Sequence, residues 1–173
     1  MSIDPASPEE LTSGVWSLDP DRSSIEFRVP NFWGTATVRG HFERYEGKLD
    51  LQSTPAARLT IDAASLETGN RRRDEHLRSP DFFDVEHHPQ VRFTSETALL
   101  DGQALAASGT LEAAGKSVPV DLRATLTLID GQPVIEAQTT VNRHDFGMTW
   151  NRLGMIGKDS TLFVRGNLVR EAS

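Results

Sequence analysis

VPVDLRATLTL, residues 118–128, holds an uninterrupted period of two. Val118, Val120, Leu122, Ala124, Leu126 and Leu128 oppose Asp121, Arg123, Thr125 and Thr127. A helix would scatter those apolar side chains around its circumference, whereas a strand sets all of them on one face. The same alternation extends in both directions. Downstream, the turn signal Asp130-Gly131 leads to Ile135, Ala137, Thr139 and Val141, and Leu162, Val164, Gly166 and Leu168 end the pattern. Upstream, a turn around Gly115 is preceded by Leu105, Ala107, Gly109 and Leu111, then by the turn Asp101-Gly102 and by Val91, Phe93 and Ser95. Leu59, Ile61 and Ala63, residues 48–51, and Ala36, Val38, Gly40 and Phe42 make earlier strands, with Gly40 marking a bend or bulge. Ile25, Phe27 and Val29 form another, separated from Trp16 and Leu18 by a turn at Asp19-Pro20-Asp21. Eight or nine strands with short turns imply an all-β protein. Strands of about 10 residues, or ~33 Å, and inward faces rich in Ala, Val and Gly favour an eight-stranded antiparallel barrel over a sandwich.

One stretch breaks the pattern: SLETGNRRRDEHLRSPDFFDVEHHP, residues 65–89. Thr68-Gly69-Asn70 is turn chemistry, with Asn70 as a helix N-cap. Ser79-Pro80-Asp81 has the form of a second helix start, and Phe82, Phe83 and Val85 supply an apolar face. The expectation is a short helical insertion over about residues 70–86 that acts as a lid on the barrel.

Size and composition narrow the function. A chain of 173 residues makes one domain, here residues 14–171 behind a flexible N-terminal tail over residues 1–13. A net charge of −7 disfavours nucleic acid as a partner. Without cysteine there is no disulfide, thiol chemistry or cysteine-held zinc. The N-terminal residues carry no apolar core of a secretory signal, no run is long enough to span a membrane, and the expected location is cytoplasmic.

Several segments resemble the YceI-like polyisoprenoid-binding family: WSLDPDRSSIEFRV (16–29), TVRGHFERYEGKLDL (37–51), SLETGNRRRDEHLRSPDFFDVEHHPQVRFTS (65–95), GTLEAAGKSVPVDL (109–122) and VNRHDFGM (141–148). The resemblance runs from about Trp16 to Leu168, and RDEHLRSPDFFDVE is its most specific block. It implies a lipocalin-like barrel whose elongated apolar cavity holds a long isoprenoid chain. It also implies storage or transport of an isoprenoid quinone or polyprenyl compound without catalysis, cofactor or metal. Many members carry a signal peptide, from which this sequence departs. A homodimer is compatible with the resemblance.

Binding a prenyl tail needs apolar area rather than a reactive group, at ~0.8 kcal/mol per buried CH₂. The expected lining is Phe27, Phe42, Leu59, Ile61, Phe93 and Leu122, with Leu126, Val141 and Val164 beyond them, and Phe82 and Phe83 closing one end. Each of these also fits an ordinary filled barrel core. Arg71, Arg72, Arg73, His76 and Arg78 are the cations available to a polar head group; the competing reading is that Arg73, Asp74, Arg78 and Asp81 form local ion pairs that pin the lid. His76, His87 and His88 lack a metal-ligand spacing, and GTLEAAGKS fails the phosphate-loop spacing by one residue. Trp150, Leu153, Met155 and Ile156 lie between Gly147 and Gly157 in a loop that suits a mouth flap, with Trp33 at the same rim. Exposed aromatics there suit transient membrane contact or dimerisation. The alternatives are an enzyme or metal-dependent protein acting on an apolar ligand, and a filled barrel serving as an interaction module.

Overall fold

The computed structural model describes residues 14–172, so the tail expected over residues 1–13 lies outside the described residues. Five strands come first: β1 (Val15–Asn31), β2 (Ala36–Phe42), β3 (Tyr45–Asp50), β4 (Ala56–Asp62) and β5 (Leu66–Glu67). The helix α1 (Arg71–Arg78) separates them from β6 (Gln90–Asp101), β7 (Ala104–Ala113), β8 (Lys116–Ile129), β9 (Gln132–Asn142) and β10 (Asp159–Arg170).

These ten segments occupy eight positions around a closed antiparallel barrel. β3 and β2 lie end to end along β1, pairing with residues 15–17 and 25–31 respectively. β4 pairs with β3, while β5 continues its line beyond a 3-10 turn at Ala63–Ser65 and pairs with β2. From β4 the order runs β6, β7, β8, β9, β10, and β10 returns to β1 to close the barrel. Closure leaves no long free edge to recruit another strand. The β7–β8 and β8–β9 hairpins turn on Ala114-Gly115 (φ 50° and 77°) and Asp130-Gly131 (φ 52° and 75°). Two successive left-handed residues match the right-handed twist of the flanking strands.

Three local expectations change. Asp19-Pro20-Asp21 does not divide two strands: β1 runs straight through, and its pairing with β10 shifts between Leu18 and Ser23. The polar triplet is absorbed as a bulge, where the Asp19 carboxylate accepts from the Asp21 N–H and from Arg22. Gly40 interrupts nothing either; it pairs in register opposite Phe27. A Cβ at Gly40 would stand 2.3 Å from the Phe27 ring, so the glycine makes room for that ring to lie across the sheet. Finally, the insertion is helical only over Arg71–Arg78. Asn70 caps it, accepting from the Arg73 N–H at 3.0 Å. Ser79 ends this helix, and successive turns follow it, with Asp84 in the left-handed region (φ 48°).

The interior divides along the barrel axis. Near the β6–β7 and β8–β9 hairpins, Trp16, Leu49, Leu51, Leu105, Leu126 and Leu168 pack into a solid plug. Towards α1, a second cluster built on Ile25, Phe27, Phe42, Ile61, Val91 and Phe93 surrounds a void.

Candidate functional site

A cavity of about 770 Å³ opens at the α1 end of the barrel. Its wall comes from every position around the barrel: β1 gives Phe27, β2 Phe42, β4 Leu59 and Ile61, β6 Phe93, β7 Leu111, β8 Leu122, β9 Val141 and β10 Val164. Leu122 shows why alternation alone could not reveal this space. It points inward between buried Val120 and Ala124, yet it is itself only half-buried, because it faces the void. Leu59, Val141 and Val164 are half-buried for the same reason.

Ten of the eleven apolar residues singled out above line the cavity. The exception is Leu126, which is buried in the plug at the closed end, where the interior is filled. Phe82 and Phe83 stand under the lid, with Phe83 edge-on to Phe42 at 6.0 Å and Phe82 at 5.9 Å from Trp150.

The cations separate into distinct roles. Arg71 points away from the cavity and meets Glu75 one helical turn on. Arg78 also misses the cavity, donating instead to the carbonyls of Ala64 (2.9 Å) and Leu66 (2.7 Å). Arg73 reaches the wall, but its guanidinium is engaged by the Thr68 hydroxyl (2.8 Å) and carbonyl (2.9 Å). Asp74 is buried and accepts from both the N–H and the hydroxyl of Thr68. The lid is thus pinned through backbone groups and Thr68, rather than by ion pairs among Arg73, Asp74, Arg78 and Asp81. His76 lines the mouth, bound to Asp81 at 2.9 Å and edge-on to Trp150 at 4.3 Å. Arg72 lines it as well and, among the described residues, its guanidinium shares no hydrogen bond or ion pair. His87 and His88 both lie against Asp84, away from His76; hydrogen bonding to Asp84 raises the His87 pKa above its usual 6.5.

The loop between β9 and β10 completes the mouth. Trp150, Met155 and Ile156 line the cavity, whereas Leu153 stands at the outer tip. Trp33 meets this loop through its N–H, which donates to the Met155 carbonyl at 3.1 Å, and Gly157 donates to Pro30 at 2.8 Å. Three residues of this region were missed by the sequence reading: Arg143, Phe146 and Met148, all buried and all on the cavity wall. Arg143 donates to the carbonyls of Gly157 (2.8 Å), Trp150 (3.0 Å), Ile156 (3.2 Å) and Met148, and burial pulls its pKa below the usual arginine value. It fixes the flap in place. Apolar Phe146 and Met148 beside Gly147, at the start of the loop, were the available signal.

The arrangement can enclose an apolar chain between mainly aliphatic and aromatic walls, with His76, Arg72 and Arg152 at the mouth. The YceI-like domain model matches residues 16–168. A UPF0312 protein of Pectobacterium atrosepticum is 32% identical over 157 residues, covering 85% of this chain and 81% of the relative. Protein YceI of Escherichia coli O157:H7 is 35% identical over 106 residues, 59% of this chain and 55% of that protein. Among solved structures, the Campylobacter jejuni YceI protein superposes with a TM-score of 0.67 at 26% identity, over 80% of this chain and 87% of that one. A polyisoprenoid binding domain from Saccharophagus degradans, implicated in plant cell wall breakdown, shares the fold with a TM-score of 0.71 at 16% identity, over 90% of this chain and 98% of that one. A matched domain that spans nearly the whole barrel, carrying the lid block and the flap, makes this chain a member of the YceI-like family.

Proposed function

We propose that the protein binds one long-chain isoprenoid lipid, an isoprenoid quinone or a polyprenyl compound, tail first in the barrel, and carries or stores it without chemical change. The observation that bears most weight is the shape of the interior: a predominantly apolar tunnel, closed by the Trp16–Leu126 plug and open at the lid. Its volume falls in the range that encloses a single small ligand. Affinity then comes from the tail, while the polar residues of the mouth orient the head. The neighbouring polyisoprenoid binding domain has the same architecture, which supports the class of ligand.

Native mass spectrometry of gently purified protein tests this directly. The expected result is a protein ion carrying one prenyl compound, lost in Ile61→Arg, which puts a charge into the cavity wall. Circular dichroism checks that this variant folds, and Leu59→Arg serves as a second wall position if it does not. A wild-type protein that neither retains nor takes up prenyl compounds, or that carries only straight fatty acyl chains, would overturn the reading.

A further inference from the structure

Three large apolar residues stand on the outside of the mouth in an improbable backbone conformation. Phe32, Trp33 and Leu153 are 52%, 69% and 76% exposed, and all three have left-handed backbones, with φ of 48°, 54° and 56°. Bulky side chains rarely adopt that region, and solvent exposure of such groups gains nothing for folding. The first two form the β1–β2 turn and the third tips the β9–β10 loop, and the Trp33 N–H to Met155 carbonyl bond joins the two segments. They therefore form one patch. It continues into the cavity through Trp150, Met155 and Ile156. Arg72 and Arg152 also border the opening, and among the described residues neither guanidinium shares a hydrogen bond or ion pair, although the chain as a whole carries −7. Of the lid's acids, Glu75 meets Arg71, Asp81 meets His76, Asp84 meets His87 and Asp74 accepts from Thr68, while Glu86, which has no ion-pair partner among the described residues, does not line the opening. Asp145 and Asp159 do not line the opening.

We infer that this rim docks on the surface of an anionic lipid bilayer, with Phe32, Trp33 and Leu153 entering the headgroup region while Arg72 and Arg152 meet lipid phosphates. Apolar tips flanked by cations are the composition that such an interface rewards. A second copy fits the surface less well. Self-association would bring unpaired guanidiniums of both copies together, and the few side chains of the patch fall far short of the roughly 20–30 residues per side in a stable interface. The inference deepens the carrier reading, on which its purpose rests: a docked mouth lets a prenyl tail pass between bilayer and barrel without crossing water.

Vesicle flotation tests it, with phosphatidylcholine vesicles containing or lacking phosphatidylglycerol. The wild-type protein is expected to float with the anionic vesicles. Arg72→Ser with Arg152→Ser lowers that partition by about 30-fold, at about fivefold per arginine. Trp33→Asn with Leu153→Asn abolishes flotation; asparagine tolerates the left-handed backbone, so the turns persist. Uptake of a fluorescent prenyl alcohol from detergent micelles, where no bilayer is present, is unchanged in this second variant. Wild-type protein that stays with the buffer, or an asparagine variant that floats equally well, overturns the docking surface. Loss of concentration-dependent dimerisation in that variant, without a change in flotation, would assign the patch to a second copy instead. Micellar uptake with no flotation sinks docking alone, whereas flotation with no micellar uptake sinks the carrier reading and leaves docking standing.

Discussion

Arg143 carries a charge into a largely apolar setting and has only backbone carbonyls to balance it. Its bonds to Met148, Trp150, Ile156 and Gly157 reach across the flap, so a single side chain organises a loop with almost no regular structure of its own. Charge-assisted hydrogen bonds each contribute about 1.5–3 kcal/mol, offset here by the desolvation that lowers the arginine pKa. Replacing Arg143 with Met is therefore expected to cost about 2–4 kcal/mol of stability, because it strands several carbonyls with no donor. Urea denaturation would show the loss, and limited proteolysis would locate new cleavage between Gly147 and Gly157. Stability within about 0.5 kcal/mol of wild type would mean that the flap holds itself. This residue was illegible in the sequence for a physical reason. An arginine satisfied by carbonyls needs no acidic partner at a fixed spacing, so nothing in VNRHDFGM distinguishes it from a solvated one. Arg78 was misjudged for the same reason: it was read as a head-group cation or as part of ion pairs pinning the lid, and instead it holds the Ala64 and Leu66 carbonyls.

At the scale of the element, β8 contains both halves of the molecule. Its inward residues run from Val120 and Leu122, on the cavity wall, to Ala124 and Leu126 in the plug. The period of two that made the strand legible is identical in the two regions, since wall and plug both demand apolar side chains. Periodicity reports which face is inward but not what lies opposite it, and so Leu126 was placed with the lining. Enlarging side chains separates the two cases. Leu122→Trp should grow into empty space, leaving stability within about 1 kcal/mol while reducing prenyl uptake. Leu126→Trp should overpack the plug and cost about 1–3 kcal/mol, with less effect on uptake in whatever protein remains folded. Thermal denaturation paired with a ligand titration measures both, and similar outcomes at the two positions would contradict the division of the interior. Turn chemistry was ambiguous in a comparable way. Asp19-Pro20-Asp21 carries the residues of a chain reversal, but long β1 absorbs them as a bulge, because pairing on both sides of the triplet outweighs the local preference. Asn70 was read correctly as a cap because the cap acts within its own turn, where no distant strand competes.

Across the whole molecule, a barrel solid at one end and open at the other dictates how affinity depends on ligand length. A chain entering past the lid meets new apolar wall with each isoprene until its tip reaches Leu18, Leu49 and Leu168, which lie both on the cavity wall and in or against the plug. Up to that depth each five-carbon unit removes more apolar surface from water, at roughly 25 cal/mol per Å² before ordering costs. Beyond it, further units protrude through the mouth, where they gain little. For prenyl alcohols of increasing length, affinity is therefore expected to rise steeply and then level off rather than fall, because an open mouth excludes nothing. Calorimetric titration from detergent micelles resolves the curve, and the plateau should begin at a shorter chain in Leu122→Trp. A sharp decline after an optimum would indicate a sealed chamber, and a continued rise would place the chain on the outer surface. Such a profile also accounts for what the sequence could not disclose about the ligand. The plug limits depth through residues from β1, β3 and β10 at once, and no single segment of the chain contains that length.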